Sequence, residues 1–163
     1  MSKVLLVSDK ENQNKEITKI LSQCSLAVIT LSDEPGIISC VESGLVQLII
    51  IDAEIKSLDA VILCKKLQSI AHKENIILLS LINQNTDASE LLKLTSAYVT
   101  KPINEKILIA TATSNLKLKK AIDTLSKNNS ELAKSLYQLD VLYNTSTQLA
   151  GSLDKQKLIN IMI

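Results

Sequence analysis

Four polar side chains stand where runs of aliphatic residues end, and together they could bind a cation and a phosphoryl group. Asp9 follows the run KVLLVS, Asp52 follows LIII, Ser80 ends IILLS and Lys101 follows YVT. Two carboxylates suit Mg²⁺, which prefers oxygen ligands. A hydroxyl and an ammonium suit the oxygens of a phosphoryl group. These residue types therefore indicate phosphoryl chemistry beside a hard cation, provided that the fold brings them together.

Five runs dense in Val, Ile and Leu predict strands that would position these side chains, at residues 3–7, 26–30, 47–51, 76–80 and 97–100. Runs that are apolar on both faces are typical of a covered parallel sheet. The segments 11–23, 34–43, 58–71 and 87–94 have apolar residues at helical spacing. This alternation predicts an α/β fold, a doubly wound (βα)₅ parallel sheet with strand order 2-1-3-4-5. In such a sheet, ligands bind at the carboxyl ends of strands 1 and 3.

A long C-terminal helix is predicted after Pro102, because residues 104–150 contain neither Pro nor Gly. Apolar residues in it recur at alternating steps of four and three. The pattern runs through Leu118, Ile122, Leu125, Asn129, Leu132, Leu136, Leu139, Tyr143, Ser146 and Ala150. A lone Asn at an a position of a heptad specifies register and favours a dimer. We therefore predict a parallel homodimeric coiled coil in which Asn129 faces its twin, with a helix packed on its own domain as the alternative.

The last residues of the chain differ in character from the long helix. Gly151 is expected to end that helix, and Ser152 to cap a new apolar one. Three segments are therefore predicted: a domain at 1–120, a coiled-coil helix at 121–150, and the start of a further domain at 151–163. The chain is expected to be a fragment whose next domain follows residue 163.

The composition excludes several classes of function. The net charge is +1 and aromatic residues make up 2% of the chain. With no Arg, Phe or Trp, both bidentate phosphate recognition by Arg and extensive base stacking are absent, so a direct nucleic-acid binder is not expected. Three widely spaced cysteines indicate reduced thiols and a cytoplasmic protein. No apolar run is long enough to cross a membrane. A flavodoxin-like cofactor carrier is disfavoured, because the loop after the first strand has no Gly.

The four motifs, in this order, resemble the receiver domain of two-component response regulators over about residues 2–120. KVLLVSD resembles the first strand with its acidic end, and LIIID the strand that ends in the phosphoacceptor aspartate. IILLS resembles the strand that ends in Thr or Ser, and YVTKP the strand that ends in Lys-Pro. Each motif alone is weak, but four in order at predicted strand ends are specific.

The resemblance implies roles for individual residues. Asp52 would be the phosphoacceptor, receiving a phosphoryl group from a histidine kinase or a phosphotransfer protein. Asp9, Asp52 and the main-chain carbonyl of Glu54 would hold Mg²⁺, and Lys101 would pair with the phosphoryl oxygens. The chain itself would be regulatory and not an enzyme.

The resemblance also implies a conformational switch. Ser80 would move to hydrogen-bond the phosphoryl group, and Tyr98 would rotate inward with it. The change would pass through the dimeric helix to an output domain beyond residue 163. Residues 142–163 weakly resemble the entry helix of a GAF-type sensory domain, an architecture in which the output is often a cyclase, a phosphodiesterase or a kinase. The sequence does not identify the kinase, the signal or the output.

Several positions depart from the family pattern. Ser8 replaces the first of two adjacent acids, and Lys10 follows where an acid is common, so Mg²⁺ binding should be weakened. Lys56 and Ala60 replace the usual Pro and Gly of the loop after Asp52. Leu81 replaces a small residue and could narrow access to the aspartate. These departures leave an alternative open, a degenerate pseudo-receiver that dimerises without phosphorylation.

Overall fold

The computed structural model describes the backbone of residues 1–162, with all side chains except those of 72–74, 152–154 and 157–163. Strands and helices alternate along it: β1 Ser2–Val7, α1 Glu11–Ser22, β2 Leu26–Leu31, α2 Glu34–Glu42, β3 Val46–Asp52, α3 Ala60–Glu74, β4 Ile77–Asn83, α4 Ser89–Leu94, β5 Ala97–Lys101 and α5 Glu105–Met162. The five strands form one sheet in the order β2-β1-β3-β4-β5, and every neighbouring pair is parallel. The predicted fold class and strand order are confirmed.

The sheet is buried on both faces, as its uninterrupted apolar strands predict. One face of β1, β3 and β4 packs with α2, α3 and α4 in a core that includes Ile49, Ile51 and Leu67. The other face packs with α1 and the first part of α5, in a core that includes Ile50 and Leu108. Residue 52 continues the alternation of Leu48 and Ile50, so the Asp52 side chain belongs to the α1 and α5 side of the sheet.

Strand β4 is longer than predicted, and this bears on the site. It continues through Asn83, three residues past its predicted end at Ser80. The β4–β5 register pairs Ser80 with Tyr98 and Asn83 with Lys101. Because β4 extends this far, an amide side chain lies at the same edge of the sheet as the lysine that ends β5.

Helix α5 spans 58 residues. The chain divides into two compact units, Met1–Ala121 and Ile122–Ile163. In the first unit, Leu108, Ala112 and Leu116 of α5 are buried in the core. In the second, the described side chains from residue 122 to residue 151 are exposed. Among the described helices, none is both long enough and apolar enough to cross a membrane.

The predicted break at Gly151 is wrong, because α5 continues through this residue. Glycine in a helix costs about 1 kcal/mol relative to alanine, and propagating an existing helix is far easier than nucleating a new one. One glycine without a following proline is therefore not a stop signal. The predicted cap at Ser152 and part of the GAF-like segment lie on side chains outside the described residues. The GAF-like resemblance and the domain division at 120 and 150 stay predictions.

Candidate functional site

The predicted site residues lie at one edge of the sheet. Asp9 follows β1, Asp52 is the last residue of β3 and Lys101 is the last residue of β5. Since all strands are parallel, their carboxyl ends meet at this edge. Strand β1 pairs with β2 on one side and with β3 on the other, so the connections leaving β1 and β3 diverge here and open a crevice between them.

The Asp52 carboxylate is fully buried, with 0% of the residue exposed. Its Oδ1 accepts hydrogen bonds from Lys101 Nζ at 2.6 Å and from the Glu54 backbone N–H at 2.9 Å. Its Oδ2 accepts one from Gln13 Nε2 on α1 at 3.1 Å. A buried carboxylate requires a counter-charge and hydrogen-bond donors. Asp52 has both, which fixes the orientation of its two oxygens.

The Glu54 side chain extends this arrangement outward. Its Oε2 accepts hydrogen bonds from Lys10 Nζ at 2.8 Å and Lys101 Nζ at 3.1 Å, and its Oε1 accepts one from Asn83 Nδ2 at 3.3 Å. The bonds from Lys10, Lys101 and Asn83, in that order, lower the pKa of the Glu54 carboxyl from 4.5 to about 2. Lys10, Asp52, Glu54 and Lys101 together form what we term the charge cluster.

Lys10 closes the charge cluster from the α1 side. Its ammonium lies 3.8 Å from Asp52 Oδ2 as well as 2.8 Å from Glu54 Oε2. The hydrogen bond to Glu54 raises the pKa of Lys10. Two ammonium groups thus face two carboxylates, so the formal charge of the cluster is zero.

Asp9 does not join Asp52. Its Oδ2 accepts hydrogen bonds from the backbone N–H groups of Lys56 at 2.8 Å and Ser57 at 3.2 Å. These bonds, first that from Lys56, lower the pKa of the Asp9 carboxyl. The side chain therefore ties the β3–α3 loop to the end of β1, and the residue is exposed.

Ser8 is the buried polar residue between β1 and Asp9, with 2% exposure. Its Oγ accepts a hydrogen bond from the Lys10 backbone N–H at 3.2 Å. Its carbonyl accepts one from Asn14 Nδ2 at 3.2 Å. Ser8 thus orients the chain that carries Lys10, at a position where the resemblance expects a carboxylate.

The residues present do not fit the expected Mg²⁺ ion. Asp9, Asp52 and the Glu54 carbonyl were predicted to hold it together, but the Asp9 carboxylate is engaged by backbone donors and both oxygens of Asp52 accept from protein groups. Over the described side chains, no group of three acidic, His or Cys residues is arranged to hold a metal. The nearest cation to Asp52 Oδ2 on the α1 side is the Lys10 ammonium.

Ser80 and Tyr98 lie beside the charge cluster and outside it. Ser80 is fully buried, and its Oγ lies 3.1 Å from Thr95 Oγ1. Since Thr95 Oγ1 donates to the Leu91 carbonyl, Ser80 is the donor to Thr95. Tyr98 pairs with Ser80 across β4 and β5, and 54% of it is exposed. In this structure the hydroxyl is held at the end of α4 and the ring is turned outward.

Sequence reasoning missed four contributors to the site. Gln13, Asn83, Thr95 and the side chain of Glu54 were not predicted to take part, and Lys10 was read only as a departure from the family. Gln13 sits in the first turn of α1 after the β1 end, a position that faces the crevice in this topology. Lys10 carried the clearest signal, since a cation directly follows Asp9.

Comparison with known proteins agrees with this fold. The family model for the response regulator receiver domain matches residues 4–113. No curated protein matches the chain. Among solved structures, the chain is similar to the chemotaxis response regulator CheY4 of Vibrio cholerae, at 19% identity and a TM-score of 0.63, covering 71% of this chain and 98% of that one.

Two other solved structures have the same fold. A two-component response regulator from Clostridium difficile is 19% identical, with a TM-score of 0.62, over 72% of this chain and 97% of that one. A response regulator receiver modulated diguanylate cyclase from Pelobacter carbinolicus is 21% identical, with a TM-score of 0.63, over 76% of this chain and 99% of that one. At these identities the structures show a shared fold.

The low pKa of Glu54 predicts a specific acid sensitivity. The ionised form is favoured in the folded state, so its contribution to stability is complete above about pH 4.5 and is lost as pH falls toward 2. Glu54→Gln should lower the free energy of unfolding at pH 6, and the difference from the unmodified protein should shrink between pH 4.5 and pH 3. Urea unfolding at several pH values measures this.

Glu11→Gln is the matched control. Glu11 pairs with Lys15 at 2.9 Å, but 82% of its side chain is exposed, and such surface pairs contribute little. Its difference from the unmodified protein should be small at every pH. If Glu54→Gln lowers the free energy of unfolding by the same amount at every pH, the ionised Glu54 carboxylate is not the source of the stability.

Proposed function

The chain belongs to the response regulator receiver domain family of two-component systems, and we propose that Asp52 is its phosphoacceptor. The observation that carries the proposal is the 2.6 Å contact between Lys101 Nζ and Asp52 Oδ1 at the carboxyl ends of β5 and β3. This contact holds a nucleophilic carboxylate next to a cation that remains available for an incoming phosphoryl group.

In the proposed reaction, a carboxylate oxygen of Asp52 attacks the phosphorus of a phosphohistidine on a histidine kinase or a phosphotransfer protein. An O–P bond forms, the P–N bond breaks, and its electron pair stays on the histidine nitrogen. Catalysis of such a transfer consists mainly of positioning and charge stabilisation. The Lys101 ammonium, whose side chain is 12% exposed, would shift from the carboxylate to the phosphoryl oxygens.

The switch proposed for Ser80 follows from its partner. Its hydroxyl donates to Thr95, at the end of α4. A phosphoryl oxygen on Asp52 is a stronger, charged acceptor than a neutral hydroxyl, so Ser80 would leave Thr95 for it. Tyr98, paired with Ser80 across the strands, would then turn inward. Two discrete arrangements of one buried hydroxyl give the two-state element that signalling requires.

We also propose that α5 forms a parallel homodimer that transmits this change to an output domain, in the cytoplasm and without direct contact with nucleic acid. The seam positions Leu125, Leu132, Leu136 and Leu139 are 58–62% exposed in the single chain, and a partner helix would remove this apolar surface from water. The solved Pelobacter carbinolicus protein is named as a receiver-modulated diguanylate cyclase, and an enzyme of that kind is one candidate output.

A second candidate function is a pseudo-receiver that dimerises without being phosphorylated. The burial of Asp52, at 0% exposure, favours it, because an incoming phosphoryl group must first displace donors that already bond both carboxylate oxygens. The two candidates differ in one respect that can be measured directly, the covalent modification of Asp52.

Acetyl phosphate should add one phosphoryl group to the full chain, since Asp52 and Lys101 are in place for the transfer. Intact mass spectrometry, with and without Mg²⁺, would detect an addition of about 80 Da, the mass of one phosphoryl unit on a carboxylate. Asp52→Asn should abolish the addition, because an amide oxygen is a poor nucleophile.

Asp59→Asn serves as the control for that experiment. Asp59 is exposed and caps α3 through hydrogen bonds to Val61 and Ile62, and asparagine retains that capping function. This variant should be modified like the unmodified protein. Absence of any mass addition in the folded native chain, also with a phosphohistidine donor, would favour the pseudo-receiver.

Substitutions in α5 should reveal the dimer. Leu132→Glu places a charge at a d position and should shift the chain toward monomer in sedimentation at tens of micromolar. Asn129→Leu should raise thermal stability while loosening the oligomeric state toward higher assemblies, because the buried amide specifies two strands.

Ser130→Glu is the control, since residue 130 lies next to the seam position 129 and off the seam, and it should leave the association unchanged. A native chain that sediments as a monomer at these concentrations would contradict the coiled-coil dimer.

A further inference from the structure

We propose that the Lys10 ammonium is a built-in counter-cation of the Asp52 pocket, and that this pocket takes no divalent metal ion. Lys10 Nζ lies 2.8 Å from Glu54 Oε2 and 3.8 Å from Asp52 Oδ2. It therefore faces Asp52 from the α1 side, while Lys101 faces it from β5. This assigns to a side chain the charge that a divalent ion would supply.

The charges of the cluster support this assignment. Lys10 and Lys101 neutralise Asp52 and Glu54 without any other ion. A divalent cation placed beside Asp52 would meet two ammonium groups as well as the two carboxylates, so the neutral cluster offers it no net attraction. The cation would have to expel Lys10 before it could bind.

Hydrogen bonds fix the backbone of Lys10 at the start of α1. Lys10 is the N-cap residue of α1, its N–H donates to Ser8 Oγ, and its carbonyl accepts from the Asn14 N–H at 2.9 Å. The hydroxyl of Ser8 provides this bond at a buried site, where a carboxylate would add a third negative charge. Ser8 and Lys10 are therefore complementary: position 8 lacks an acid, and position 10 supplies a positive charge.

The Asp9 carboxylate, the second one that a cation would need, is bonded to other groups. Its Oδ2 is held by two backbone N–H groups of the β3–α3 loop. Turning Asp9 toward Asp52 would break both bonds. The pocket thus has one carboxylate of the expected pair, and that carboxylate already has its counter-cations.

The proposal extends to phosphorylation, an extension that rests on the proposed function. If the pocket takes no divalent ion, phosphoryl transfer to Asp52 proceeds without added Mg²⁺. The two ammonium groups would receive the phosphoryl oxygens. Divalent-ion binding by the unmodified chain does not depend on this extension, so the two ideas fail independently.

The test is a titration of the full chain with Mn²⁺, followed by the electron paramagnetic resonance signal of the free ion. The unmodified protein should show no saturable site up to several millimolar. Lys10→Met, which removes the charge and retains the apolar stem, should gain a saturable site, with a dissociation constant at least about tenfold below the highest Mn²⁺ concentration at which the unmodified protein shows none. The double variant Ser8→Asp with Lys10→Met should bind more tightly still.

Three further variants localise the effect. The affinity gained in Lys10→Met should disappear when Asp52→Asn is added. Lys10→Arg should behave like the unmodified protein, and so should Lys15→Met, because the Lys15 side chain is 72% exposed and pairs only with Glu11 among the described ion pairs. Lys10→Gln repeats the charge removal with a different side chain, should Lys10→Met be unstable.

Saturable Mn²⁺ binding to the unmodified chain, removed by Asp52→Asn, would overturn the proposal. It would also be overturned if neither Lys10→Met nor Lys10→Gln gained any affinity, because Lys10 would then not be the group that excludes the metal. Phosphorylation measured in parallel separates these results from a failure of the phosphoacceptor function.

Discussion

The contact between the Lys101 ammonium and the buried Asp52 carboxylate is the interaction on which the rest of the site depends. A carboxylate with no exposed surface is stable only beside a counter-charge and donors. Lys101 supplies the charge at 2.6 Å, and the Glu54 N–H and Gln13 supply the hydrogen bonds. The sheet brings these groups together because the parallel strands β3 and β5 end at the same edge. Removing Lys101 would leave the buried Asp52 carboxylate with only the Lys10 ammonium, 3.8 Å from its Oδ2, as a counter-charge.

In the charge cluster, the two carboxylates of Asp52 and Glu54 are neutralised by the two lysines of the chain itself. Glu54 joins the two lysines, and Asn83 bonds its other oxygen. The cluster is neutral as a whole, so Asp52 is held firmly in the unmodified state. The same two lysines lie where the added charge of an acyl phosphate would appear. Ser80 hydrogen-bonds Thr95 at the end of α4, and it pairs with Tyr98 across β4 and β5.

Much of the fold was predictable, because each strand is a continuous aliphatic run and each predicted helix has helical spacing. The positions of Asp52 and Lys101 followed from the ends of those runs. The orientation of Asp9 did not, since it depends on where the Lys56 and Ser57 N–H groups point, and a loop conformation cannot be read from residue types. The roles of Gln13 and Asn83 depend on contacts between separate elements. Gly151 was over-interpreted, because a helix already formed on both sides tolerates one glycine.

The most direct test of the account is a crystal structure of the unmodified chain grown with about 10 mM MnCl₂, with anomalous data collected for manganese. This concentration would nearly fill a site with a dissociation constant of about 1 mM. The account predicts no anomalous peak between Asp9 and Asp52, and density for the Lys10 ammonium within hydrogen-bond distance of Glu54. A manganese peak coordinated by both aspartates, with Lys10 displaced into solvent, would contradict it.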